Sequence, residues 1–113
     1  MNLYNCQALS SNEVSVGSLK FKIKSNIDNS QSKELKLGIR SEFITVEDSL
    51  GDNTIQADIN EVEDFGNYKL ITAQCDEMKI KAKVKREQNV PSEKVILKFP
   101  SERCCIYENN KLI

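Results

Sequence analysis

Glu61 and Glu63 are spaced by two, with Asp64 next in line, and on a β-strand that spacing puts the two glutamates on one face. Paired carboxylates could share general acid and base work, but that chemistry also needs a cleft and shifted pKa values. Composition supplies neither, so the run reads as the solvated end of a strand. A second charged set, Lys79, Lys81, Lys83 and Lys85 with Arg86 behind it, also repeats with period two. Single-stranded nucleic acid is bound where such charge is interleaved with aromatic rings on which bases stack. The stripe itself contains no aromatic residue, and a solvated face that resists edge pairing explains it better. Nucleic acid is therefore the lesser reading.

The four cysteines, Cys6, Cys75, Cys104 and Cys105, show no CxxC spacing, and the chain has no His. Neighbouring Cys104 and Cys105 alternate to opposite faces of a strand, which disfavours a four-thiolate zinc site. They read as small buried or half-buried thiols of a reducing compartment. There is no GxxxxGK[ST] phosphate loop, no GxSxG elbow and no GxGxxG turn. Gly17, Gly38, Gly51 and Gly66 are too dispersed to form one phosphate cradle. No catalytic residue, metal or cofactor is expected of the chain.

The elements that would position these groups are strands. Leu19, Phe21 and Ile23 alternate with lysines, as do Met78, Ile80, Ala82 and Val84, and Val95, Leu97 and Phe99 repeat in the same way. Leu35 to Ile39, Phe43 to Val46, Ile55 to Ile59 and Tyr68 to Ala73 complete seven expected strands. No stretch shows helical spacing. Turn residues fall between the runs, at Val16-Gly17-Ser18, Leu50-Gly51-Asp52-Asn53, Phe65-Gly66-Asn67, Cys75-Asp76-Glu77, Asn89-Val90-Pro91-Ser92 and Glu108-Asn109-Asn110-Lys111. Most should make antiparallel hairpins. The polar, patternless stretch 26–33 reads as a mobile loop. Many short strands imply an all-β antiparallel barrel or sandwich, and the pattern alone does not choose between them.

At 113 residues the chain is one domain's worth, 1–113, burying roughly 65% of its unfolded surface. Apolar residues make up 39% and aromatics 6%, with no Trp, so the core must be built from Val, Ile and Leu. A formal net charge of -1 gives no global attraction to nucleic acid or anionic lipid. No window approaches the roughly 18 apolar residues of a membrane-spanning helix. Ile71 and Ile96 stand out of phase with their strands, which suggests a second buried face and hence a dimer surface.

The run Leu37-Gly38-Ile39-Arg40-Ser41-Glu42, with Val62-Glu63-Asp64-Phe65-Gly66 further on, resembles the LGIRPE and VExLG marks of a known family. These are the C-terminal regulatory (TOBE) domains of ABC-importer ATP-binding subunits, of the sugar-importer type. Glu102-Arg103-Cys104-Cys105-Ile106-Tyr107-Glu108 and Lys111-Leu112-Ile113 look like the family's closing strand, and Met1-Asn2-Leu3 is similar to its opening step. Ser41 stands where the family's pattern has proline. The resemblance implies an OB-like antiparallel β-barrel and a non-enzymatic regulatory module. ATP hydrolysis would then belong to a preceding core of the same polypeptide, and Met1 would mark a boundary. It makes Gly38, Ile39, Arg40, Glu42, Glu63 and Gly66 architecture behind interdomain and dimer surfaces, with Glu63 and Gly66 in a structural turn. Arg40 and Glu42, two apart on a strand, would form a register-fixing ion pair. The implied partners are a second copy of the domain, the ATPase core, membrane permease subunits indirectly, and a cytosolic regulator. The implied location is the cytoplasm, peripheral to the inner face of the cell membrane. Two other readings stand beside this one: a free-standing OB-type protein for single-stranded nucleic acid, and a small-solute or anion sensor resembling molybdate-binding modules. The second lacks those modules' SARN-like opening motif.

Overall fold

Residues that alternate between apolar and charged cannot satisfy both halves of their pattern except as strands with one dry and one wet face. The computed structural model describes residues 2–24, 35–108 and 111–112. The expected loop 26–33 lies outside the described residues, as do Met1 and Ile113. The strands are β1 (Asn2–Ser10), β2 (Glu13–Val16), β3 (Leu19–Lys22), β4 (Leu35–Ile39), β5 (Thr45–Glu47), β6 (Thr54–Asp64), β7 (Tyr68–Cys75), β8 (Met78–Lys85), β9 (Lys94–Lys98), β10 (Cys105–Glu108) and β11 (Lys111–Leu112). Two 3-10 turns, Ser41–Phe43 and Ser101–Arg103, interrupt them, and the described residues contain no α-helix.

The strands form two antiparallel sheets, ordered β11-β10-β4-β1-β2-β3 and β5-β9-β6-β7-β8. Together they enclose one core in the manner of an OB-like barrel, with one sheet curled into a half-barrel, so the all-β antiparallel class is as expected. Phe21 and Phe99 meet at its centre, ring centroids 5.0 Å apart. Around them Val14, Leu37, Ile39, Ile44, Ile71, Ile80, Val95, Leu97 and Ile106 are fully buried. Each such side chain contributes on the order of 1.5–3 kcal/mol relative to exposure.

Several expectations are corrected. The first sixteen residues supply β1 and β2, which were missed because β1 is mostly exposed and shows little alternation. The strand expected at Phe43 begins at Thr45, because residues 41–43 turn. Leu50–Asn53 and Asn89–Ser92 do not close hairpins, since β9 inserts between β5 and β6. By contrast Gly17, Gly66 and Asp76 take positive φ (60°, 94° and 53°) in the three tight hairpins where turn chemistry was expected.

Two asparagines close the seams between the sheets. Asn2 Nδ2 donates to the Lys81 carbonyl at 2.9 Å while the Lys81 N–H donates to Asn2 Oδ1 at 2.9 Å. The amide thus acts as one more rung of ladder on the β8 edge. On the other side the Lys22 N–H donates to Asn53 Oδ1 at 2.7 Å, and Asn53 Nδ2 donates to the carbonyls of Lys22 (2.7 Å) and Phe99 (2.8 Å). Asn53 does this from φ 57°, a conformation that asparagine tolerates better than most side chains. Asn53→Ala should therefore cost about 2–4 kcal/mol, through lost hydrogen bonds plus left-handed strain. Asn53→Gly, free of the strain, should lose roughly 1 kcal/mol less. Urea unfolding midpoints measure both, and an Ala variant as stable as the parent would refute the seam.

Candidate functional site

Of the segments that mark the family resemblance, the opening and closing ones flank the strand that carries Leu37, Gly38 and Ile39. Gly38 is the fourth of the five residues of β4, opposite Leu3 of β1 on one side and Cys105 of β10 on the other. Ile39 beside it pairs with Asn2 and is buried in the core. A glycine within a strand often marks close backbone approach, and here it lies between the opening and closing segments.

Arg40 and Glu42 are not on a strand. β4 ends at Ile39, Arg40 is extended (φ -76°, ψ 145°), and the chain turns through Ser41–Phe43. Their ion pair, at 4.0 Å, spans that turn with the side chains 64% and 50% exposed, so it cannot set strand register. Exposed pairs of this kind contribute about 0–1 kcal/mol at most. The Arg103 guanidinium does more, lying 4.3 Å from the Phe43 ring centre and tying the two 3-10 turns together. Ser41 accepts the Ile44 N–H on its carbonyl, a group that serine shares with proline.

Glu63 and Gly66 also separate. Gly66 is in the β6–β7 turn, where its N–H donates to Asp64 Oδ1 at 2.8 Å. Glu63 is on strand β6 opposite Leu70, not in the turn. Ile71 is fully buried in the chain's own core, paired with Val62 and Ala82, and is not available to a second copy while the fold is intact. It seemed out of phase because β7 is apolar on both faces: Leu70 points outward and Ile71 inward. Ile96 is half-buried on the outer face, between Glu47 and Gln56.

That outer face is divided by charge. A bulge between Ile59 and Glu61 shifts the phase of β6, so Asp58, Glu61 and Glu63 all project outward, opposite Gln74, Thr72 and Leu70 of β7. Across β7 these same positions pair with Lys79, Lys81 and Lys83 of β8, and Tyr68 with Lys85. The face therefore presents an acidic column, a neutral column and a lysine column. The lysines do have aromatic neighbours, contrary to what the β8 stripe alone suggests. Lys83 Nζ is 4.4 Å from the Tyr68 ring centre, and Phe65, half exposed, stacks on Tyr68 at 5.0 Å. A pattern along one strand cannot reveal a contact across two.

All four cysteines are free thiols. Burial pushes Cys6 up to about 11 and Cys104 up to about 12, and Cys105 and Glu102 add to the latter. Cys75 is raised by burial and by the carboxylates of Asp76 and Asp58. Burial also raises Tyr4, whose O–H donates to the Lys79 carbonyl at 2.8 Å. Among the described residues, no group of three His, Cys, Asp or Glu side chains is arranged to hold a metal ion. No protein-family model matches the chain, and no curated protein matches it.

The buried thiols give a pH dependence. Their folded pKa values lie above the ordinary 9.0, so the stabilisation they contribute is complete below pH 9 and is lost as pH rises toward 11–12. Urea midpoints should fall over that window, and at pH 8 a thiol reagent should reach Cys6 and Cys104 only on unfolding. Equal reaction of all four sulfurs in the folded protein would contradict this burial.

Proposed function

We propose that the chain is a TOBE-like regulatory and dimerisation module of an ABC importer's ATP-binding subunit, serving uptake of a sugar or related solute. The observation that carries this reading is the convergence at Gly38. Three segments that separately resemble the family's opening, LGIR and closing marks lie side by side on β1, β4 and β10.

On this reading the chain acts by contact rather than by catalysis. Its partners are a second copy of itself, an ATPase core on the same polypeptide, permease subunits reached through that core, and a cytosolic regulator. It works in the cytoplasm at the inner face of the cell membrane. ATP binding and hydrolysis belong to the core. Single-strand binding has one observation in its favour, the Phe65, Tyr68 and Lys83 stack, but the acidic column on the same face offers a phosphate backbone no counter-charge.

An antibody raised against the chain tests the reading in extracts of the source cells. A band several times larger than 12.8 kDa, copurifying with membranes and with ATPase activity, is the expected result. A band at 12.8 kDa, free of both, would overturn it.

A further inference from the structure

We propose that the outer face of the β6, β7 and β8 strands is a self-recognition surface, on which a second copy docks face to face about a two-fold axis running along β7. This rests on the self-association in the reading above and names the surface that performs it.

The case begins with two columns of opposite charge on one face that do not pair with each other. The acidic column (Asp58, Glu61, Glu63) and the lysine column (Lys79, Lys81, Lys83, Lys85) flank β7, which sets them roughly 10 Å apart. Among the described residues no ion pair joins the two columns, and Asp58 turns instead to Lys94 of β9, at 3.6 Å. A surface that carries the two columns in the opposite order would meet both with opposite charge.

The order of the columns then selects the occupant. Rotation by half a turn about β7 exchanges left and right, so each acidic column comes to lie over the partner's lysines, and each lysine column over the partner's acids. A two-fold axis across the strands would instead set acid on acid and is excluded by repulsion. The contact is isologous, the commonest arrangement in soluble oligomers. At the axis the neutral column of Tyr68, Leu70, Thr72 and Gln74 meets its own copy. Thr72 is already buried and Leu70 and Tyr68 are half buried, so the centre is cheap to desolvate. Phe65, half exposed and stacked on Tyr68, extends that centre at the hairpin end with the kind of aromatic anchor that interfaces favour.

A nucleic acid fits the same face poorly. Phosphates over the lysine column would engage that column alone, because the carboxylates lie roughly 10 Å away, beyond the ~8 Å Debye length of physiological salt. A polyanion meets one column, whereas a surface carrying both signs meets both.

The test is a charge exchange followed by sedimentation of the whole chain over a dilution series. The parent should associate reversibly and less tightly as salt rises. Lys81→Glu with Lys83→Glu makes the face wholly acidic at its centre, and Glu61→Lys with Glu63→Lys makes it basic. Each double variant alone should weaken association at least tenfold. Mixed in equal amounts, they should recover the dimer as a heterodimer. The seam at Lys81 uses only its backbone, so the substitutions leave it in place, and urea midpoints of both variants report on folding. Loss without recovery on mixing overturns the proposal. A parent that dimerises while both folded variants dimerise equally well overturns the surface but leaves the regulatory reading intact, as does a parent that stays monomeric. Single-stranded DNA binding by the parent that Lys81→Glu with Lys83→Glu abolishes, with no change in association, assigns the face to nucleic acid instead.

Discussion

Two sheets closed on one core bring open edges together at their seams, and here asparagine amides join them. A primary amide offers a donor and an acceptor in one plane, close to the geometry of a peptide group, so it can bond an edge residue's N–H and C=O together. Asn2 does this at Lys81 and Asn53 does it at Lys22. Among the described residues no buried side-chain nitrogen or oxygen is left unpaired. Without the amides, β3 and β8 would present bare edges at the seams.

The rest of the architecture follows from those seams. Asn2 lies on β1 beside Ile39 of β4, so the bond that holds β8 also fixes the first strand against Gly38. Tyr4, two residues on, donates its O–H to the Lys79 carbonyl. β8 is thus held by its backbone at Lys79 and Lys81 while their side chains project outward. Asn53 likewise ties the end of β3 to Phe99, whose ring packs on Phe21 in the core. The charged face and the aliphatic core are two sides of one constraint.

The class of the fold was legible in the alternation of β3 and β8, where every apolar residue has a charged neighbour on the opposite face, and, apart from Ile96, in β9. β1 was not, because its anchors are the polar Asn2 and Tyr4 and most of its other residues are exposed. Hairpins with positive φ at Gly17, Gly66 and Asp76 were readable from local chemistry, whereas the insertion of β9 between β5 and β6 is a long-range pairing without a local mark. Of the motif residues, Gly38 and Ile39 were placed in the strand that now holds them. Arg40 and Glu42 were not, because the pattern says nothing of a strand ending at Ile39. The charge columns were legible only one strand at a time: the bulge in β6 and the neighbours of Lys83 belong to tertiary pairing.

Amide hydrogen exchange at Lys22 and Lys81 tests the seams most directly. Both N–H groups sit on strand edges, and an unpartnered edge amide exchanges nearly as fast as an unfolded one. If the asparagine amides close the barrel, both should exchange slowly, with protection approaching that of core amides such as Ile80 and Ala82, and Asn53→Gly should release Lys22 while leaving Lys81 protected. Rapid exchange at Lys22 and Lys81 in the parent would mean that the seams are open in solution and that the barrel is held by its core alone.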